Sequence, residues 1–296
     1  MALVINHNLM AMNAARNLSS SYSNLATSVN RLSSGLRVIS AADDAAGLAI
    51  RELMRADISA LNQGVRNAND AISLIQTADG ALGVIDEKLI RMKELAEQAA
   101  TGTYTSDQRL MIESEYQAMA SEITRIANAT DFNGVHLLNG NLSDATHNGH
   151  GLTPTGQLKI HFGPANDSAE DYYYIKIGNA TASALGVGNN ALVTNKAYTV
   201  STQYQAQKAL EGIQDAIISK DKIRANLGAM QNRLENTISN LQIQAENLQA
   251  AESRISDVDV SLEMTEFVRN QILTQAAVAM LSQANSLPQM ALSLIG

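Results

Sequence analysis

Proline placement restricts this chain more than any other feature. Its three copies, Pro154, Pro164 and Pro288, leave residues 1–153 and 165–287 without one. No proline breaks a helix within either tract, so both are free to be helical. Apolar residues follow a three-and-four spacing through both. Ile5, Leu9, Met12, Ala15, Leu18, Tyr22, Leu25, Val29, Leu32 and Leu36 form one stripe; Ile58 to Ile75 and Leu82 to Ala99 form another; Ile112, Tyr116, Met119, Ile123 and Ile126 form a third. Beyond residue 200 the pattern resumes at Leu210, Ile213, Ile217, Leu227, Met230, Leu234, Leu241, Ala245, Leu248 and Ile255, then runs on through Val258, Leu262, Val268 and Ile272. Such spacing marks helices that pack lengthwise in a coiled-coil manner. A 50-residue helix is about 75 Å long. The fold expected is mainly α: an elongated coiled-coil or helical-bundle rod with its N and C termini paired.

The middle differs. Nine of the 18 glycines fall between Gly134 and Gly188, together with Phe162 and the run Tyr172 to Tyr174. Leu158–Phe162 and Tyr172–Ile177 read as two strands joined by GPANDSAED, a small β-hairpin region. Residues 139–156 and 189–197 read as exposed loops. Ser106 is the expected N-cap of the third helix. Gly35 and the Ser40 to Asp44 cluster interrupt the first helix, with Asp43 or Asp44 capping the second. Gly80 and Gly83 stand inside a helical pattern at about 1 kcal/mol each relative to alanine, an expense that close helix packing is expected to offset. Asn133 and Gly134 suit a tight turn.

Composition removes several classes of function. With no cysteine there is neither a disulfide scaffold nor a thiolate-ligated metal. A net charge of -8 argues against nucleic acid or an anionic membrane as principal partner. No apolar run of about 18 residues exists, so membrane insertion is not expected. The start, MALVINHNLMAMNAARNL, has neither a charged n-region nor a continuous apolar h-region, so no cleavable secretory signal is expected, which by itself suggests the cytoplasm.

The two ends have opposite character. Residues 1–42 hold Arg16, Arg31 and Arg37 and no acid, whereas residues 257–296 hold Asp257, Asp259, Glu263 and Glu266 against Arg269 alone. Exposed pairs contribute only about 0.2 to 1 kcal/mol each, so charge selects the partner and apolar area must hold it. The last 27 residues carry no charge, and Phe267, Leu273, Ala277, Met280, Leu281, Leu287 and Met290 leave the main stripe. A helix apolar on several sides asks for more cover than one partner helix supplies. Further copies of the chain are the expected cover, and a contact that does not close by two-fold symmetry grows into a filament.

Six segments carry a specific resemblance: INHNLMAMNAARNL (5–18), RLSSGLRVISAADDAAGLAI (31–50), DGALGVIDEKLIRMKELAEQAA (79–100), DFNGVHLLNG (131–140), LGAMQNRLENTISNLQIQAENLQAAESRISDVD (227–259) and ILTQAAVAMLSQANSLPQMALSLIG (272–296). They closely resemble bacterial flagellin across residues 3–140 and 205–296. The resemblance implies a non-enzymatic structural subunit of the flagellar filament, self-assembling into a helical tube for swimming. It implies an inner terminal coiled-coil domain from residues 1–42 with 254–296, and a second-layer bundle from 43–253. Within the bundle, about 141–202 would be variable and exposed, with no separate outer domain.

Polymerisation would use Ile5, Leu9, Met12, Leu18, Leu25, Leu32, Val258, Leu262, Phe267, Ile272, Met280 and Leu287. Implied partners are the chain itself, the flagellar cap and hook-filament junction proteins, and a flagellin export chaperone. Toll-like receptor 5 is also implied, at positions matching Arg91, Leu95 and Glu115, although Ile90 stands where strongly recognised flagellins carry an amide. The location implied is extracellular, in the flagellum, after type III export. A hook-filament junction protein shares related terminal helices and is the alternative, though it would normally carry a larger middle.

Enzymatic constellations are missing from the sequence. His7, His136, His147, His150 and His161 form no HExxH pair, and there is no GxxxxGK[ST], GxSxG or strand-borne GxGxxG. Asp144, His147 and His150 could gather a metal but read better as a solvated loop, so no cofactor is expected. Tyr172 to Tyr174 read as strand packing rather than a stacking site. The sequons at Asn141, Asn166 and Asn179 are common triplets. Ser143, Thr146, Thr153 and Ser183 are the candidate hydroxyls for the O-linked sugars that some flagellins carry.

Overall fold

In a computed structural model the described residues are 8–143, 156–168, 170–188 and 199–295. Ile5, Asp144, Thr146, His147, His150 and Thr153 lie outside them, as does the side chain of Leu287. The chain is mainly α. It divides into two compact units, residues 1–58 with 246–296 and residues 59–245, the cuts falling within two long helices.

The larger unit holds most of α2 (Ala45–Ala100), α3 (Ser106–Ala129), most of α5 (Gln203–Ser256) and the short α4 (Ala182–Leu185). It also holds two antiparallel hairpins, β1 (Asp131–Phe132) with β2 (Val135–His136) and β3 (Leu158–His161) with β4 (Tyr172–Ile175). Its stretches of α2 and α5 each run about 60 Å. Ile75, Leu82, Ile85, Leu89, Met92, Ala96 and Ala99 of α2 are fully buried with Tyr116 and Ile123 of α3 and Ile213, Leu227 and Leu234 of α5. Full burial of one such large side chain is worth about 1.5 to 3 kcal/mol. Leu137, Leu138, Leu142, Ile175 and Ile177 join the same core.

Lys220 is 2% exposed, its Nζ 2.6 Å from Asp86 of α2 and 2.7 Å from Asp221. Nearby, Arg224 Nε donates to Asp79 at 2.7 Å, a bond that raises its basicity. These pairs fix α5 against α2, because a shift by one turn strands a buried ammonium.

Several sequence expectations are corrected here. Thr105, not Ser106, caps α3, in a reciprocal box with Gln108. Nothing lies within 4 Å of a Cβ built on Gly80 or Gly83, so no close packing offsets those glycines. The close approach is at Gly64, where a Cβ would strike the backbone of Phe162. Asn133 (φ 51°) and Gly134 (φ 80°) form the turn of the β1–β2 hairpin. In the β3–β4 hairpin, Ile160 pairs with Tyr173 and His161 with Tyr172.

The terminal unit holds α1 (Leu9–Ser34), α6 (Val260–Ile295), the start of α2 and the end of α5. Gly35, at φ 71°, ends α1, its N–H returning to Arg31 O. The α5 stripe does not run on into α6. Asp257–Asp259 breaks it, and Asp259 Oδ1 accepts from Ser261 and Leu262 N–H to start α6. The two interruptions lie side by side: Leu36 bridges Asp257, Arg37 N donates to Ser256 O at 2.6 Å and Val258 N to Gly35 O at 3.0 Å. Asp44 caps α2 through Gly47 N, whereas Asp43 organises the loop before it. Donation from the Ser40 backbone and hydroxyl holds the Asp43 carboxyl below the usual range.

Candidate functional site

α1 and α6 pair antiparallel, and the face each turns to the other mixes small and polar residues with leucine and phenylalanine. Ala11, Ala14, Leu18, Ser21, Leu25, Ser28 and Leu32 are among the covered positions of α1. Glu263, Phe267, Asn270, Thr274, Ala277, Leu281 and Ala284 are among those of α6. Arg31 Nη1 lies 3.7 Å from Glu263 Oε2 across the pair.

At the far end Asn8 acts in both directions. Its Oδ1 accepts from Ala11 N to start α1, and its Nδ2 donates to Ala284 O at 2.8 Å. Helix α6 continues through Pro288. A proline there has no N–H for the carbonyl four residues earlier, which is Ala284, and Asn8 fills that missing bond.

The expected single stripe therefore splits. Leu18, Leu25, Leu32, Val258 and Phe267 are partly covered, but Leu9 (64% exposed), Met12, Leu262, Ile272 and Met280 (65%) point outward. Met10, Tyr22, Val29, Val268, Leu273 and Val278 join them. A threes-and-fours stripe does not say which of its members meet the partner helix. Here alanine, serine and threonine meet it together with Leu18, Leu25, Leu32 and Phe267. A groove of about 780 Å³ runs along the pair between Leu9, Met10, Asn17, Leu273 and Met280. Large hydrophobic surface left open on a protein marks an interaction site.

The second candidate surface lies in the larger unit. Arg91 Nε and Nη2 donate to Glu115 Oε1 at 3.0 and 2.8 Å, and Nη1 donates to Glu94 Oε2 at 2.9 Å. These bonds, Glu115 first, raise the guanidinium above its ordinary basicity. Arg91 and Glu115 thus form one exposed pair bridging α2 and α3, with Ile90 open beside it. Leu95 is placed differently: it is 2% exposed and belongs to the core, reachable by a partner only through the side chains above it.

Of the candidate acceptor hydroxyls, Ser143 and Ser183 are half-buried and bonded, to Gly140 O and to the Thr181 hydroxyl. Tyr173 packs on Phe162 with centroids 4.6 Å apart, whereas Tyr172 and Tyr174 share the other face of the hairpin with Lys159. Among the described residues no group of three histidine or acidic side chains stands ready for a metal, and no helix is long and apolar enough to cross a membrane.

Comparison with known proteins gives a consistent result. Residues 5–143 match the bacterial flagellin N-terminal helical region and residues 210–295 the bacterial flagellin C-terminal helical region. The chain is 40% identical over 296 residues to the flagellar filament 33 kDa core protein of Treponema phagedenis, spanning 99% of this chain and 100% of that one. It is 44% identical to the flagellin of Bacillus subtilis strain 168, over 98% and 99% of the two chains. Among solved structures it resembles a provisionally assigned flagellar hook-associated protein of Vibrio parahaemolyticus, at TM-score 0.55 and 15% identity, covering 73% of this chain and 100% of the other. At that identity the likeness concerns fold alone.

Proposed function

This chain belongs to the bacterial flagellin family, and on that premise we propose that copies of it join through the outward apolar flanks of α1 and α6. It is a structural subunit of the flagellar filament rather than an enzyme, and the extracellular filament is its place of work. Relatives named flagellin or filament core protein align along its whole length, which favours that role over a hook-filament junction protein.

One observation carries the assembly reading: Leu9, Met12, Leu262, Ile272 and Met280 are exposed although their helices are already paired. At about 25 cal/mol per Å² of apolar area removed from water, covering that flank repays association. In this reading residues 1–42 with 254–296 form the inner layer of the tube and 43–253 the next. Packed helices that slip between nearly equal registers would let the tube curve.

The same tail, before assembly, is the segment an export chaperone would hold, and the cap and the hook-filament junction proteins would meet the exposed terminal surfaces. Arg91 and Glu115 are the directly accessible contacts for Toll-like receptor 5, with Leu95 acting from beneath. Ser143 and Ser183 would accept sugars only after their local bonds open.

Electron microscopy of the full chain, of a chain lacking residues 1–30 and 270–296, and of Leu262→Gln with Ile272→Gln and Met280→Gln tests the assembly reading. Filaments are expected from the first alone, with the triple variant keeping its helical circular dichroism. Filaments of ordinary form from the triple variant would overturn it.

A further inference from the structure

The methionines of this chain divide by location. Met10 and Met12 of α1 and Met264, Met280 and Met290 of α6 are all exposed, from 44% at Met264 to 65% at Met280. The larger unit covers most of its own: Met92 is fully buried, Met119 and Met230 pack half-buried against the core, and Met111 is the open one among the described residues. Met10 and Met280 both line the groove between α1 and α6. Exposed aliphatic residues share these flanks. Leu9 lies three residues before Met12, Val260 and Val268 four on either side of Met264, and Leu273 seven before Met280. Those separations put each on the same side of its helix.

With no cysteine in the chain, the thioethers are its only sulfur atoms, and their susceptibility to a peroxide follows their exposure. A sulfur lone pair attacks one peroxide oxygen, and the O–O bond breaks. The displaced oxygen leaves as water, taking the proton of the oxygen that stays on sulfur. Sulfur loses two electrons and the peroxide gains them. The sulfoxide formed is polar and a strong hydrogen-bond acceptor. Water satisfies it on a free copy. Pressed between aliphatic flanks it has no donor, and burying an unpaired acceptor weakens the contact. Methionine suits an adaptable contact surface because it is unbranched and flexible, and the same sulfur exposes that surface to oxidants.

We propose that Met10, Met12, Met264, Met280 and Met290 are modification sites at which a peroxide, by forming sulfoxides, bars a free copy from joining the polymer. The proposal rests on the filament reading. Free copies offer all five sulfur atoms to the medium; a copy already seated shields them with its neighbours. Oxidation therefore acts on supply to the growing end and spares what has been built. Because the sulfoxide is reducible, the block is reversible.

The test uses the full-length chain, hydrogen peroxide and the critical concentration for seeded polymerisation, with peptide mass spectrometry to locate each sulfoxide. Oxidation before seeding should raise that concentration several-fold, and the two methionine sulfoxide reductases, one per epimer, should restore it. The chain carrying Met10→Leu, Met12→Leu, Met264→Leu, Met280→Leu and Met290→Leu should polymerise near the parental concentration and ignore peroxide, because leucine keeps volume and polarity. Met111→Leu should stay as sensitive as the parent. Far-UV circular dichroism checks that each chain folds; should the fivefold exchange unfold, Met10→Leu with Met280→Leu gives the same readout with partial protection. Preformed filaments should gather far less sulfoxide at the five positions than free copies do. Polymerisation of the fully oxidised chain at the parental concentration, an equal loss in the leucine variant, or equal oxidation of free and assembled copies overturns the proposal. If the untreated parent forms no filament, it is the filament reading that falls.

Discussion

Residues 59–245 and the terminal unit are both built from long helices, yet they treat their apolar side chains in opposite ways. In the larger unit α2 meets α3 and α5, and Leu82, Ile85, Leu89, Met92 and Ile123 lose all contact with water. In the terminal unit two helices face each other across alanine, serine and asparagine, with Leu18, Leu25, Leu32, Phe267 and Leu281 only partly covered between them. Val38 and Ala284 are the buried apolar residues there among those described, while Leu9, Met12, Leu262, Ile272 and Met280 stay outside. The first unit finishes its core within one chain; the second leaves many of its large apolar side chains open. Hydrophobicity alone does not distinguish them, because α6 is the more apolar tract.

The largest effect that separates the two units is a core truncation. Leu89→Ala should destabilise the larger unit by about 2 to 5 kcal/mol, while Met280→Ala should leave monomer unfolding within about 0.5 kcal/mol of the parent. Thermal unfolding of the monomer measures both, and equal losses would break the contrast.

Next is the buried cation. Asp86→Ala leaves Lys220 with Asp221 alone, 60% exposed at its side chain, and should cost about 1 to 3 kcal/mol. Adding Lys220→Met should recover most of that, because an apolar side chain of similar length does not need the pair. Urea unfolding of the single and double variants decides it.

In the terminal unit the corresponding polar element is Asn8. Asn8→Ala should cost about 1 kcal/mol, and less in a Pro288→Ala background, where α6 supplies its own donor to Ala284. Amide exchange near the end of α6, compared across the four chains, reads the coupling.

The smallest effect is expected in acid. The Asp43 and Glu52 carboxyls sit below their ordinary range, through Ser40 and Arg51 respectively. Depressed folded values mean that their stabilisation is fully present above the unfolded value near about 4 and disappears as pH falls through the folded one. NMR titration of the two carboxyls should show this, with Ser40→Ala returning Asp43 upward.

Much of the architecture was legible in the residue pattern. The stripe through Leu82, Ile85, Leu89 and Met92 is the core seam of α2, and the strand signals at Leu158–Phe162 and Tyr172–Ile177 mark β3 and β4 to within two residues. What escaped has identifiable causes. Period alone cannot choose between Leu9 and Ala11 as the residue facing α6, because both recur at helical spacing; the choice depends on how closely two backbones approach. Leu95 sits beside the α2 seam rather than on it, on the side where Arg91, one turn earlier, reaches across to Glu115 of α3. The break at Asp257–Asp259 was signalled by its capping aspartates and hidden by Val258, which continues the spacing. The Thr105 and Gln108 box was also present as a local signal, outvoted by the serine next to it. Of the terminal helices, the pairing was readable; which side turns outward was not.

The clasp between Asn8 and Ala284 joins residues 276 positions apart. It closes only after the chain has been delivered as far as Ala284. A copy cut short by early termination or by proteolysis before Ala284 lacks the acceptor, and Asn8 then keeps only its cap on Ala11 N–H. One amide and one carbonyl thus register how far the chain extends.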